Sequence, residues 1–226
     1  IVNDKKYVVN SLINKTDITQ YRLNNIMIQK KSRICLSLDI ENQDDFFGVL
    51  DKVGSKVVIL KIHSDIIVGN INEFIKKCIL YSIRYNFLIM EDRKFVDISY
   101  ITGKQYNKFS GWVDMVTVMG NVSGDVIKGM SGVVMVKDMS NGTINNDSSV
   151  MTKCKDLSVL KRLIGVVSQT KFDHPYLLTM TPGISFKKHK ECDQNYRTVE
   201  MIETDIIIVG RGIYNGNPEE NINHYL

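Results

Sequence analysis

The sequence predicts an α/β protein built as a single (β/α)8 TIM barrel, and three observations predict it. Eight short, continuous apolar runs recur along the chain. Segments whose apolar residues fall at helical spacing separate most of them. Polar and charged residues gather at the C-terminal ends of the runs. Runs that are apolar at consecutive positions read as strands buried on both faces, as in an all-parallel sheet. Eight such units in 226 residues suit a small barrel. An open doubly wound sheet is the alternative. No glycine-rich turn follows the first run, where Asp39-Ile40-Glu41-Asn42 stands instead, and this counts against a dinucleotide-binding crevice.

Taken in order, residues 1–16 show little pattern, and Asn3-Asp4-Lys5-Lys6 is too polar for a signal peptide. Asp17 is read as the cap of a first helix, with Gln20 reaching back and a stripe of Ile18, Leu23, Ile26 and Met27. The whole chain, 1–226, is read as one barrel domain, with 1–30 an N-terminal helical segment closing it. The first strand is 34–39 and ends in a carboxylate; helix 43–53 follows, with Phe46, Phe47 and Leu50 on one face. Strand 57–63 carries Lys61 and His63 near its end. Helix 71–84 places Ile71, Phe74, Ile75, Cys78 and Ile79 on one side. Strand 87–92, helix 98–109, strand 115–119, a short helix near 123–130 and strand 133–137 continue the alternation. A polar loop, 138–149, leads to a helix at 150–161, then to strands 163–168 and 176–180. A short helix at 198–203 precedes strand 205–209. Asn217-Pro218-Glu219-Glu220 is a well-formed helix start: cap, proline in the first turn, then acids.

Composition narrows the function classes. Apolar residues make up 43% and charged residues 24%, enough for a globular core. No apolar run approaches the roughly 20 residues of a membrane span. A net charge of +4 fits an anionic small substrate and is too weak and dispersed for a nucleic-acid track. The densest basic run, Lys187-Lys188-His189-Lys190, reads as a solvated loop. Cys35, Cys78, Cys154 and Cys192 form no C-x-x-C and read as free thiols in a reducing, cytoplasmic setting. No metal-ligand pattern is visible.

The chemistry concentrates at the C-terminal ends of the strands, which a barrel gathers at one mouth. Four apolar residues, Phe87-Leu88-Ile89-Met90, run into Glu91-Asp92-Arg93-Lys94-Phe95-Val96-Asp97. Asp39, Lys61, His63, Asp92, Lys94, Asp97, Met139-Ser140, Pro182 and Gly210-Arg211 share this rim. Plainer readings exist: Asp39 as a helix cap, His63 as a buried core histidine, the charges as an inert network. Lys61 resists them, because a lysine inside an apolar strand pays desolvation unless it is paired. The loops after strands seven and eight often hold phosphate in such barrels. Here they carry Thr181-Pro182-Gly183, Gln194-Asn195-Tyr196 and Gly210-Arg211, and an arginine offers phosphate a two-pronged planar cation.

Five motifs, Leu36-Ser37-Leu38-Asp39, Leu60-Lys61-Ile62-His63-Ser64-Asp65, 87–98, Thr181-Pro182-Gly183 and 206–212, together resemble the orotidine 5′-monophosphate decarboxylase family. The likeness spans roughly 20–214 and is nearest the eukaryotic form, including the decarboxylase half of bifunctional UMP synthase. The phosphoribosyltransferase half has no room in this chain. The resemblance implies a cofactor-free carboxy-lyase converting orotidine 5′-monophosphate (OMP) to UMP and CO2 in de novo pyrimidine biosynthesis. It also implies a homodimer. Lys61, Asp92, Lys94 and Asp97 match an alternating Lys-Asp-Lys-Asp network, with Asp97 contributed across the dimer and Lys94 the acid that protonates C6. Asp39 and Lys61 match ribose contacts, and His63 and Gly210 fall within the same binding motifs. Ser140 and Pro182 match the pyrimidine pocket; Gln194, Tyr196 and Arg211 match the phosphate grip.

Departures from the family pattern define a second reading, a catalytically impaired or repurposed nucleotide-binding or protein-interaction module. Ile101 stands where the family has a threonine, with Thr102 one position on. The segment between Gln105 and Trp112 is about four residues short. Val118-Met119-Gly120 replaces an Asn-Ala-His, and the tail after Arg211 is brief. A third reading, another decarboxylase or an aldolase of the wider D-x-K-x-x-D group, is disfavoured by Lys61-x-His63 and Gln194-x-Tyr196.

Overall fold

A computed structural model describes residues 15–142, 147–186 and 194–226. Its elements run α1 (Lys15–Lys30), β1 (Ile34–Ser37), α2 (Gln43–Val53), β2 (Ile59–Ile62), α3 (Ile71–Tyr85), β3 (Leu88–Phe95), α4 (Ser99–Tyr106) and β4 (Met115–Met119). Then come α5 (Gly124–Lys128), β5 (Val133–Val136), α6 (Asp147–Lys155), α7 (Leu157–Leu160), β6 (Leu163–Val167), β7 (Leu178–Thr181), β8 (Ile206–Val209), α8 (Arg211–Tyr214) and α9 (Pro218–Asn221). Every strand pairs in parallel with the next, and β8 pairs with β1, so the sheet closes into an eight-stranded barrel. This is the TIM barrel the sequence predicts, and an open sheet is excluded.

The strands are short and nearly all of their residues are buried, as continuous apolar runs require. Alternate side chains divide into two cores. One set fills the space between barrel and helices, where Phe46, Phe47, Phe74 and Tyr81 stack edge-on or tilted. The other fills the barrel interior with Ile59, Leu88, Met115, Val134, Ile164, Leu178 and Ile206. Leu23 and Ile26 of α1 join that interior cluster, so α1 crosses the end of the barrel at which the strands begin. Its polar side chains tie it down: Lys15 donates to the carbonyls of Ser110 and Val113, and Lys30 to those of Gly54 and Val57. No helix among the described residues is long and apolar enough to cross a membrane.

Some local expectations need correction. Asp17 lies inside the first turn of α1 rather than capping it, and Gln20 donates to the carbonyl of Tyr176 instead of reaching back. On α3 only Phe74 and Cys78 are buried, while Ile71 and Ile79 face outward. The helix expected at 150–161 is two shorter helices, broken at Asp156, whose side chain caps α7. Strand 7 begins two residues later than expected, because Tyr176 is exposed. The helix at 198–203 is a single tight turn over Val199–Met201. The 187–190 basic run and Cys192 lie outside the described residues. Cys35, Cys78 and Cys154 are free and buried.

Candidate active site

The C-terminal ends of the strands surround one open cleft of about 930 Å³, mouth included. Its floor is the uppermost apolar layer of the barrel interior: Met90, Val136, Val167 and Ile208. Its wall holds Asp39, Lys61, His63, Asp92, Lys94, Ser140, Pro182, Gln194, Tyr196, Gly210 and Arg211. Eleven of the twelve residues singled out in the sequence therefore meet in one place. Asp97 does not; it is exposed, and its own side chain accepts from the Ile98 amide.

The centre of the cleft is a buried charge cluster. Asp92 ends the regular part of β3, and its Oδ2 pairs with Lys61 Nζ and, at 2.8 Å, with Lys94 Nζ. Burial alone would raise the Asp92 pKa, but the two ammonium groups outweigh it and hold the carboxyl well below the usual range. Burial likewise works against the charge on Lys61, and Asp92 and Asp39 outweigh it, so its pKa is raised. Both groups are ionised at neutral pH. His63 stands beside them, with Nε2 3.4 Å from Asp92 Oδ2 and 3.5 Å from Lys94 Nζ. Its Nδ1 is 3.6 Å from Asp39 Oδ1. Burial first, then Lys61, lowers the His63 pKa, so the ring is neutral at pH 7. Asn42 rather than Asp39 caps α2, and His63 lines the cleft rather than the apolar core.

Backbone irregularity aims Lys94. The pairing of β3 with β4 shifts between Glu91 and Phe95, and Lys94 adopts a left-handed backbone with φ of 51°. Thr117 of β4 anchors the irregularity, accepting from the Lys94 amide and donating to Asp92 Oδ1, each at 2.8 Å. Sequence reasoning missed Thr117. Its signal was the one that marked Lys61, a polar residue inside an apolar strand. Asp138 and Tyr214 also line the cleft unforeseen.

The far side of the cleft is cationic and aromatic. Arg211 begins α8 with its guanidinium 5.9 Å from the centre of the Tyr196 ring. Gly210 lets this turn approach β1 closely, since a β-carbon there would sit 3.1 Å from the Ser37 carbonyl oxygen. The arrangement suits an anionic ligand, because the Arg211 guanidinium and the Lys61 and Lys94 ammonium groups line one cleft.

Behind the wall, the buried Glu91 receives the Ser64 amide on both carboxylate oxygens, at 3.3 and 3.2 Å. Burial pushes its carboxyl up to about 7 from an ordinary 4.5. A folded-state value above the unfolded one means that Glu91 favours the fold below about pH 4.5, and that this support is lost as pH rises through 7. Glu91→Gln should therefore stabilise the protein at pH 8, on the order of 3 kcal/mol, with the two proteins converging near pH 4.5. Thermal melts at both pH values test this; an equal difference at the two would refute it.

Comparison with known proteins follows the same lines. The model of the orotidine 5′-phosphate decarboxylase / HUMPS family matches residues 32–225. The orotidine 5′-phosphate decarboxylase of Candida dubliniensis is 30% identical over 248 residues, covering 94% of this chain and 89% of that protein. The uridine 5′-monophosphate synthase of Bos taurus is 30% identical over 214 residues, covering 85% of this chain and 44% of that protein. In solved structures, the Plasmodium berghei orotidine 5′-monophosphate decarboxylase superposes with a TM-score of 0.65 at 15% identity, covering 91% of this chain and 95% of that one. The Methanocaldococcus jannaschii enzyme complexed with the inhibitor BMP superposes at 0.61 and 22% identity, covering 86% and 96%. At such identities the superpositions speak for the fold.

Proposed function

The chain belongs to the orotidine 5′-phosphate decarboxylase / HUMPS family, and from that premise we propose that it decarboxylates OMP to UMP as a cofactor-free homodimer. The observation that carries this reading is the Lys61–Asp92–Lys94 cluster on the floor-side wall of a cleft whose far wall holds Tyr196 and Arg211.

The substrate's phosphate lies on Arg211, Tyr196 and Gln194, its ribose near Asp39 and Lys61, and its pyrimidine between Ser140 and Pro182. Its C6 carboxylate then faces Asp92. Two carboxylates about 4 Å apart at an effective dielectric of about 20 repel by about 4 kcal/mol, part of which the lysines offset. Breaking the C6–carboxyl bond releases neutral CO2 and removes that repulsion. The bonding electron pair stays on C6, where the Lys94 ammonium stabilises it and then transfers a proton to it. Solvent reprotonates Lys94. Because these charges are already oriented by Thr117 and by each other, little reorganisation accompanies the step. The phosphate is remote from C6, so its binding energy is available for positioning.

Asp97 belongs to the second subunit's site in this proposal. It is exposed and flanked by Val96, Ile98 and Tyr100, exposed at 61, 66 and 65%, an apolar surface that a second copy would cover. Three buried thiols agree with a reducing, cytoplasmic setting.

One observation favours the impaired or repurposed homologue. Thr102 does not stand in for the absent threonine: it is fully buried, and its hydroxyl donates to the Ile98 and Ser99 carbonyls. Incubation of the purified protein with OMP separates the readings. Loss of OMP absorbance with stoichiometric UMP is expected; no turnover by a folded dimer that still binds UMP would establish the binding module instead.

A further inference from the structure

The segment 194–197 carries Gln194 and Tyr196, yet it lies in no helix or strand. Its position comes from the loops around it. The Asn195 amide donates to the Ser140 carbonyl at 2.8 Å, and the Arg197 amide to the Gly183 carbonyl at 2.9 Å. The Ser185 amide returns to the Arg197 carbonyl at 2.9 Å. Gly183, at φ of 73°, makes the approach feasible: a β-carbon there would fall 2.8 Å from the Asn195 carbonyl oxygen and 3.3 Å from Ser140 Cβ.

The Arg197 side chain adds a second layer. Its Nη2 donates to Gln169 Oε1 at 2.7 Å. Gln169 in turn gives Nε2 to the Met139 carbonyl at 3.4 Å and its amide to Asp138 Oδ2 at 3.0 Å. Asp138 is buried at the end of β5, and the same Oδ2 also accepts from Lys137 Nζ at 2.8 Å and Ser168 Oγ at 3.1 Å. The chain of bonds thus runs from the segment holding Gln194 and Tyr196 to a rigid strand end directly before Ser140. Neither Arg197 nor Gln169 lines the cleft.

We propose that Arg197 is a positioning residue. Through Gln169 and Asp138 it locks the phosphate-gripping segment to the pyrimidine-binding loop, so that the two ends of the ligand site keep a fixed separation. The role rests on the nucleotide reading above. It also assigns work to Gln169 and to Asp138, whose Oδ2 accepts from Lys137, Ser168 and the Gln169 amide.

Arg197→Met and Gln169→Ala, singly and together, test it by calorimetry with UMP and with uridine, which lacks the phosphate. Each single change should weaken UMP by about 10- to 100-fold, the range for a hydrogen bond to a charged group, and leave uridine within about twofold. The double variant should be no weaker than the worse single one, because both changes cut one strut. In OMP turnover the loss should fall on KM more than kcat. Equal losses for UMP and uridine, or additive losses in the double variant, would overturn the proposal. A wild type that binds no UMP would refute the nucleotide reading instead. The strut is then judged by hydrogen exchange alone: Arg197→Met must accelerate the Asn195 and Ser185 amides together, and unchanged exchange rejects it.

Discussion

Lys94→Ala should lower kcat for OMP decarboxylation by at least about 10³- to 10⁴-fold, the combined scale of a lost proton donor and a lost electrostatic stabiliser. Lys61 cannot substitute. It is more deeply buried and committed to Asp92, whereas the Lys94 side chain is 28% exposed and reaches into the cleft. The variant should still fold, because Asp92 keeps Lys61 and Thr117 as partners. Circular dichroism checks the fold, and chromatographic measurement of UMP checks the reaction. Retention of more than about a tenth of wild-type kcat would remove Lys94 from the role of acid. The reverse change is more disruptive: Asp92→Ala leaves two lysines facing each other in a poorly solvated wall, a situation that costs about 3–5 kcal/mol of stability. Lys94→Ala is therefore the cleaner probe.

Two inactive variants should regain activity when mixed. Lys94→Ala and Asp97→Ala each spoil a homodimer completely if Asp97 serves the neighbouring site. In a hybrid dimer one site carries both defects and the other carries none. Random exchange makes half of the dimers hybrids, so the mixture should recover roughly one quarter of wild-type activity. Mild denaturation and refolding, or co-expression with two tags, produces the hybrids; assays of the doubly tagged species measure them. Hybrids that form and stay inactive would place Asp97 outside its neighbour's site. The exposure of Asp97, away from the Lys61–Asp92–Lys94 cluster, is what makes the experiment decisive.

The barrel was legible because continuous apolar strands with charged ends leave few other architectures open. Lys61 was legible for a sharper reason, since an ionised group inside an apolar strand requires a partner; Asp92 and Lys94, a weak motif by themselves, were singled out through their place at a strand end and the family resemblance. Thr117 was not, since threonine is an ordinary strand residue and its two hydrogen bonds depend on a pairing shift that only the folded sheet reveals. Asp138 was hidden next to Lys137, with which it pairs as a charged turn would, while its other two partners, Ser168 and Gln169, lie 30 and 31 residues further on. The outward-facing Ile71 and Ile79 mimic a buried stripe, because periodicity identifies a face without saying which neighbour covers it. The same limit applies to the segment at Gln194, whose place is set by bonds to Ser140 and Gly183 from remote parts of the chain.

On the proposed mechanism, the left-handed backbone at Lys94 sets catalysis and robustness against each other at one residue. A lysine held at φ of 51° carries a steric penalty of about 1–2 kcal/mol that glycine would not. Lys94→Gly should thus relax the chain while removing the proton donor. Under selection for heat resistance alone, this codon would drift toward glycine or asparagine, and lineages freed from the need for turnover would record that freedom here first.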